Sequence, residues 1–283
     1  MTSLKDRTKF TTTNFKADNV IIETKEKQNG KEKLIYINLI DKTTGKYIAF
    51  EAIEPLFTPF GANSSKEYPD SYSITASFRD TNETETTFFK ELMKLKEMII
   101  NHIEKDSKII FKKKMTREVL LTADKFKSSV NTIVSKTNGN SYNQIVIKIS
   151  TSKEGNKPQN FDLFTKSDDN KIKQIDLKSM SKDDAWDNVK NIIHPRSDVR
   201  VIFIPLVDLR NGNAKFTFNA LQVLANEHVS NSSDSIFGFT CVDNVSFDNN
   251  KSSSNIEKEE EANNSETEDE EEIEDDEEED DEN

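Results

Sequence analysis

Cysteine is almost absent: Cys241 stands alone in 283 residues. No internal disulfide can form, which excludes a secreted, disulfide-stapled scaffold and leads us to expect a reducing, intracellular compartment. Glycine is nearly as scarce. The seven glycines, at positions 30, 45, 61, 139, 155, 212 and 238, never fall within ten residues of one another. A P-loop or a dinucleotide fingerprint needs glycines clustered where backbone meets phosphate, so neither can be built. The three histidines, His102, His194 and His228, lack partners at zinc-ligand spacing. There is no G-x-S-x-G elbow, and the acidic pair Asp168 and Asp169 reads as a solvated loop. No enzyme, metal or cofactor is expected. The longest apolar run, near Val201 to Val207, is far too short to span a bilayer, and Met1-Thr2-Ser3-Leu4-Lys5-Asp6-Arg7 leads into no apolar signal region. No membrane partner is expected.

What the chain has is charge, unevenly divided. The net charge is −13, but residues 251–283 hold 19 acids against two lysines, Lys251 and Lys258, a net of −17. The remaining 37 bases and 33 acids leave residues 1–250 at +4. A basic body is therefore joined to a polyanion.

Hydrophobic periodicity organises the body. Leu34 to Ile40 is apolar at both parities, as a strand buried on both faces would be. The polar turn Asp41 to Lys46 and alternation in Tyr47 to Ala52 continue a meander, and Tyr72 to Phe78 is the next strand. Between them, Pro55, Pro59 and Gly61 predict an irregular loop whose Phe57 and Phe60 either plug the core or offer a stacking surface. A helix is predicted from Asn82, with Glu85 completing a capping box, to about Lys105. Its apolar stripe is Phe88, Leu92, Leu95, Ile99 and Ile103, with Phe89 alongside. Lys108 to Lys114 leaves it as strand or loop, and Thr116 to Phe126 is ambiguous. A hairpin joins Val130–Lys136 to Gln144–Ser150 through Asn138-Gly139, with Ile145, Ile147 and Ile149 on one face. Residues 151–180 are polar and poorly patterned. A short helix begins at Ser181 and carries Trp186, Val189 and Ile192. The final hairpin pairs Val199–Val207 with Lys215–Val223 about Arg210-Asn211-Gly212-Asn213.

Strands, one long helix and more strands describe a mainly β, OB-fold-like antiparallel barrel with an inserted long α-helix and enlarged loops. The expected domains are an OB-fold body over 1–228, a linker over 229–250 and a disordered acidic tail over 251–283, too polar to bury a core. OB-folds bind single-stranded nucleic acid by laying its backbone along a basic groove and stacking its bases on aromatic rings. The residues interleaving cation and ring are Phe111, Lys112, Lys113, Lys114 and Arg117, then Lys125, Phe126 and Lys127, with Phe57 and Phe60 as further stacking candidates. Solvated strand edges produce similar runs. Residues 266–282 hold fifteen acids in seventeen positions and mimic the charge density of a nucleic-acid backbone. The alternatives for the tail are a solubilising role or, for the whole protein, an acidic-tailed histone chaperone or nuclear interaction protein.

The succession Phe60-Gly61-Ala62-Asn63, Tyr72 to Phe78, Phe88-Phe89 with Leu92, and Phe111-Lys112-Lys113 resembles the single-stranded DNA-binding proteins of large nucleocytoplasmic DNA viruses. These in turn are similar to the replication proteins of short-tailed phages. The likeness extends over Arg200–Pro205, Lys215–Val223 and the acidic tail. It implies an OB-fold that coats single-stranded DNA during viral replication and serves repair and recombination. It also implies homodimers, and residence in a host cytoplasmic viral factory or nucleus, or in the virion. The partners it implies are a replicative DNA polymerase and a helicase/primase, docked through Glu268, Asp269, Glu270, Glu271, Glu272, Asp275, Asp276, Glu277, Glu278, Glu279, Asp280, Asp281 and Glu282. Phage members end their tails on an aromatic, whereas no aromatic follows Phe247 here. Docking by an aromatic anchor is not expected.

Overall fold

The computed structural model describes residues 4–29, 32–64, 71–134, 141–152, 157–167 and 169–226. All of these belong to the first of two units, 1–230; the second, 231–283, with the expected linker and acidic tail, lies outside the described residues, as do Asn138-Gly139 and Asp168. The strands in chain order are β1 (Arg7–Thr11), β2 (Val20–Asn29), β3 (Glu32–Asp41), β4 (Tyr47–Glu51), β5 (Leu56–Thr58), β6 (Ala62–Ser64) and β7 (Tyr72–Phe78). Then come α1 (Glu83–Lys105), α2 (Ser107–Phe111), α3 (Arg117–Thr122), β8 (Phe126–Ser128), β9 (Val130–Val134) and β10 (Ser141–Ile149). The chain continues through β11 (Asp162–Lys166), β12 (Ile172–Ile175), α4 (Lys182–Ile192), β13 (Ser197–Arg210) and β14 (Asn213–Asn226).

The spine is the β13–β14 hairpin. Asn211 and Gly212 take φ of +53° and +71°, the conformation a two-residue turn needs to match the twist of its strands. Each outer edge of this hairpin is shared by three strands in turn. Along β13 these are β5, β4 and β3. Along β14 they are β8, β10 and β11. A slip at Ile202/Phe203 leaves Leu221 unpaired as a bulge and bends the hairpin around the core. Five strands close a barrel: β5 pairs β7, β7 pairs β10, β10 pairs β14, β14 pairs β13 and β13 returns to β5. Every pairing is antiparallel except β10 with β14. Numbered by chain order the circuit runs first, second, third, fifth, fourth, the Greek-key closure of an OB-fold. The architecture is the mainly β, OB-fold-like barrel with an inserted long helix that the residue pattern predicts.

Side-chain parity fills this barrel. Ile74, Ala76 and Phe78 from β7 and Ile145, Ile147 and Ile149 from β10 point inward and are buried. They meet Phe203, Phe216 and Phe218 from the spine. Helix α1 spans 23 residues, about 34 Å, and lays Phe88, Leu92, Leu95, Ile99 and Ile103, all buried, against them. Phe50 is central to the aromatic cluster, with ring centroids 4.7 Å from Phe15, 5.6 Å from Phe88 and 5.3 Å from Phe203. The α1 cap holds: Asn82 accepts from the Glu85 N–H. Glu85 differs from the expected capping box, because its carboxylate accepts from the Arg79 backbone N–H at 2.6 Å rather than from the Asn82 backbone, and takes the Asn82 side-chain amide at 3.1 Å.

Burial pushes the Glu85 carboxyl above its ordinary value, against the opposing hydrogen bond and charge of Arg79. The folded state therefore holds this proton more tightly than the unfolded chain. Its contribution to stability is complete below the ordinary glutamate pKa and is lost as pH rises through the raised one. We expect E85Q to lose less stability than the wild type between about pH 4 and pH 8, measured by urea unfolding.

Several segments differ from their sequence-based assignments. Residues 107–111 form helix α2 rather than strand, since Ile110 and Phe111 both pack on the core and a strand would send neighbours to opposite faces. Thr116 caps α3, and 162–175 hold the paired strands β11 and β12. Strand β3 is buried on one face alone: Ile37 and Leu39 are buried, while Leu34 and Tyr36 are 47% and 38% exposed. The reason is that β3 leaves the barrel with β2 as a two-stranded ribbon. The loop around Pro59 contains two short strands, with Leu56 and Thr58 buried.

Gly61 pins that loop. Its φ is +60°, and a Cβ there would stand 2.3 Å from the Ile193 carbonyl oxygen at the end of α4. We expect G61A to cost about 2 kcal/mol or more in a denaturant melt, from the left-handed backbone and the clash together.

Candidate nucleic-acid interface

The outer wall of the barrel is read from strand register. Directly opposed residues share a face. Row by row, Asn131, Gln144, Ser77, Phe57 and Asp198 lie across β9, β10, β7, β5 and β13. Along β10 the outward positions are Tyr142, Gln144, Val146 and Lys148, a track of about 20 Å. At one end Tyr142 and its cross-strand partner Ile133 are 45% and 46% exposed. The Arg79 guanidinium lies 5.6 Å from the Phe57 ring centroid and pairs with Asp198 at 2.6 Å. At the other end cations gather. Lys148 of β10 lies opposite Asn219 of β14, further along which Lys215 sits opposite Lys127 of β8 on one side and Asp208 of β13 on the other. Arg210 bonds Asp208 at 2.9 Å.

Burial holds the Lys148 ammonium below its ordinary value, Lys215 and Arg210 press it the same way, and Asp208 opposes them. Cations that repel one another on a partly desolvated surface gain most from a polyanion that neutralises them together.

The sequence candidates separate into three groups. Lys127 belongs to the cation cluster, and the Lys125 backbone accepts a 2.7 Å bond from Ala214 beside it. Phe57 lies in the Gln144 row and is half-buried with Arg79 over its ring, while Phe60, on the loop between β5 and β6, is 57% exposed. Phe111, Lys112, Lys113, Lys114 and Arg117 follow the C-terminus of α1, whereas Arg79 precedes its N-terminus. The structure does not bring these two groups together. Lys112 to Lys114 are exposed, but Phe111 packs on the core, and Arg117 is engaged by Glu97 and Asn101 of α1. Phe126 is a correction: at 6% exposure it is a core residue, because β8 points it inward and Lys127 outward.

Sequence reasoning passed over Lys148, Lys215, Arg210, Tyr142 and Arg79. Alternation carried the signal for Tyr142 and Lys148, since the isoleucines of 145 to 149 fall at the odd positions. Nothing local pointed to Lys148 meeting Lys215. Among the described residues no helix is long and apolar enough to cross a membrane, and no group of three or more His, Cys, Asp or Glu is placed to hold a metal ion.

No protein-family model and no curated protein matches the chain. Solved structures it is similar to include bacteriophage proteins. The single-stranded DNA-binding protein of bacteriophage Enc34 is 12% identical, with 78% of this chain and 96% of that one covered at a TM-score of 0.32. The same protein in complex with ssDNA is 11% identical over 73% and 96%, also at 0.32. The single-stranded DNA binding protein gp2.5 encoded by bacteriophage T7 is 10% identical over 63% and 86%, at 0.34.

Proposed function

We propose that this protein binds single-stranded DNA without sequence preference on the outer wall of its barrel. The observation that carries the proposal is the cluster of Lys148, Lys215, Arg210 and Lys127 beside a track whose other end exposes Tyr142, with Phe60 exposed on the loop between β5 and β6. Cations set in register hold phosphates whatever the sequence, and rings take any base because every base has a π-face. Lys112 to Lys114 add exposed positive charge beyond the C-terminus of α1. The body over 1–228 is then the DNA-binding domain, joined by the linker over 229–250 to the acidic tail. The biological role that fits is protection of exposed strands in viral DNA replication, with the tail contacting a polymerase and a helicase/primase, in a homodimer.

The test is a titration with oligo(dT) longer than the roughly 4–16 nucleotides an OB-fold covers, beside a histone pull-down from the same preparation. Tight, salt-sensitive binding to oligo(dT) supports the function. Histone capture without oligo(dT) binding would replace it with the chaperone alternative.

Residues 251–283 carry 19 acids, and a polyanion joined to the body would compete with DNA for the same cations. Deleting them is expected to tighten oligo(dT) binding at low salt, with the gain shrinking as ionic strength rises. Neutralising the acids to Gln and Asn should reproduce the deletion. Equal affinity for all three forms across the salt series would remove the tail from the binding equilibrium.

A further inference from the structure

The β2–β3 ribbon has two unlike faces. One packs on α1, where the Thr24 hydroxyl donates to Asp106 at 2.6 Å and lies 2.9 Å from the His102 imidazole. On the other face the register sets Lys25 opposite Tyr36 and Lys27 opposite Leu34. Tyr36 is 38% exposed, and both lysines are exposed. Toward the base of the ribbon, Ile40 lies opposite Ile21 in β2 and Tyr47 in β4, so the same face continues onto β4. There the Arg7 guanidinium stands 5.5 Å from the Tyr47 ring centroid. Cations and rings therefore share one face over four strands, β1 to β4. Glu23 is the acid nearest Lys25 and is already bound to it at 2.9 Å.

This face is continuous with the outer wall of the barrel. Val207 of β13 pairs with Ile37 of β3, and both are buried, so their neighbours Asp208 and Tyr36 emerge on the outer side. Asp208 is opposed by Lys215, and Lys215 by Lys127. From Lys127 to Lys25 the outer surface crosses β8, β14, β13, β3 and β2, four interstrand gaps of about 4.8 Å, or roughly 19 Å.

We propose that this ribbon face is a second stacking platform for the same DNA strand, with a base on Tyr36 and Lys25 and Lys27 on the phosphates beside it. The platform rests on the single-stranded DNA binding proposed above and lengthens its path from the barrel onto the ribbon. Charge and continuity select the occupant. Ile21 and Leu34 are held apart by Lys25, Lys27 and Tyr36, so the face has no contiguous apolar patch of the kind that a second copy of this chain would need to bury.

The test uses the full-length chain as wild type, Y36A, Y36F, K25E/K27E and K148E/K215E. Each is titrated with oligo(dT) of increasing length and photocrosslinked to 5-iodouracil oligonucleotides, with the linked peptides mapped. We expect Y36A and K25E/K27E to match the wild type on oligomers too short to leave the barrel and to bind long ones about tenfold more weakly. Y36F should keep wild-type affinity, and crosslinks should fall on Tyr36. Thermal midpoints confirm that the ribbon variants are folded. If Y36A and K25E/K27E equal the wild type at every length while K148E/K215E is weakened, the platform is overturned and the barrel site stands. If K148E/K215E binds as tightly as the wild type at every length, the barrel site fails and the platform with it.

Discussion

Reversing Lys148 and Lys215 together, as K148E/K215E, should weaken oligo(dT) binding by roughly 100-fold or more. On the proposed path each lysine would make a charge-assisted hydrogen bond to phosphate, worth about 1.5–3 kcal/mol, and each reversal adds a repulsive carboxylate. The loss should be equal for oligo(dT), oligo(dA) and mixed sequences, because phosphate contacts carry no sequence information. Each phosphate contact on a single strand contributes about 0.7 to the slope of log K against log salt, so removing two should flatten it by about 1.4. Reversal of Lys112, Lys113 and Lys114 should act in the same direction but more weakly, since they lie beyond the far end of α1. Fluorescence anisotropy over a salt series checks both. Unchanged affinity and slope in K148E/K215E would take the cation cluster out of the interface.

Truncation of Phe50 should be the most damaging single change to the fold. Its ring is fully buried and meets Phe15, Phe88, Phe203 and Phe218, which arrive from the N-terminal segment, α1, β13 and β14. Removing it leaves a cavity where barrel, helix and N-terminal strands converge, and F50A should cost about 3–5 kcal/mol. Part of that is the lost edge-on ring contacts, each worth about 0.5–1.5 kcal/mol. For a body of this size the midpoint of thermal unfolding should fall by about 10 °C. F60A is the matched comparison. Phe60 is 57% exposed, so its stability should move by no more than about 0.5 kcal/mol. Its affinity for oligo(dT) should instead fall by about 1–3 kcal/mol. Calorimetry and titration on both variants separate the two roles, and an F50A protein as stable as the wild type would contradict the packing.

Elements whose signal is local were legible. Helix α1 is bounded where Asn82 caps it and where its apolar stripe ends, and β7 matches its predicted span of Tyr72 to Phe78. The β13–β14 turn is set by Asn211-Gly212, because few other residue pairs accept two successive positive φ values. Among the assignments that failed were those in which a run of apolar residues fits more than one period. Ile109-Ile110-Phe111 suits strand or helix until a core exists for two adjacent side chains to reach. Leu34 to Ile40 looks doubly buried, yet only one face finds a neighbour, and the other turns Tyr36 toward solvent.

The interface divides along the same line. Composition and charge by themselves determined that this is a basic body joined to a polyanion, without the clustered glycines of a phosphate-cradling enzyme. Alternation determined which residues of each strand point away from the core. Tertiary structure alone decided which of those outward residues meet. Lys127, Lys148 and Lys215 are far apart in sequence and share a surface because β14 takes β8 and β10 on one edge in succession. Lysines adjacent in sequence were the conspicuous ones, but adjacency along a chain sets no distance to a residue on another strand. Strand register does, through hydrogen bonds between segments some 70 to 90 residues apart. That register is specified by which side chains fill the barrel as a whole, a condition no window of the sequence contains.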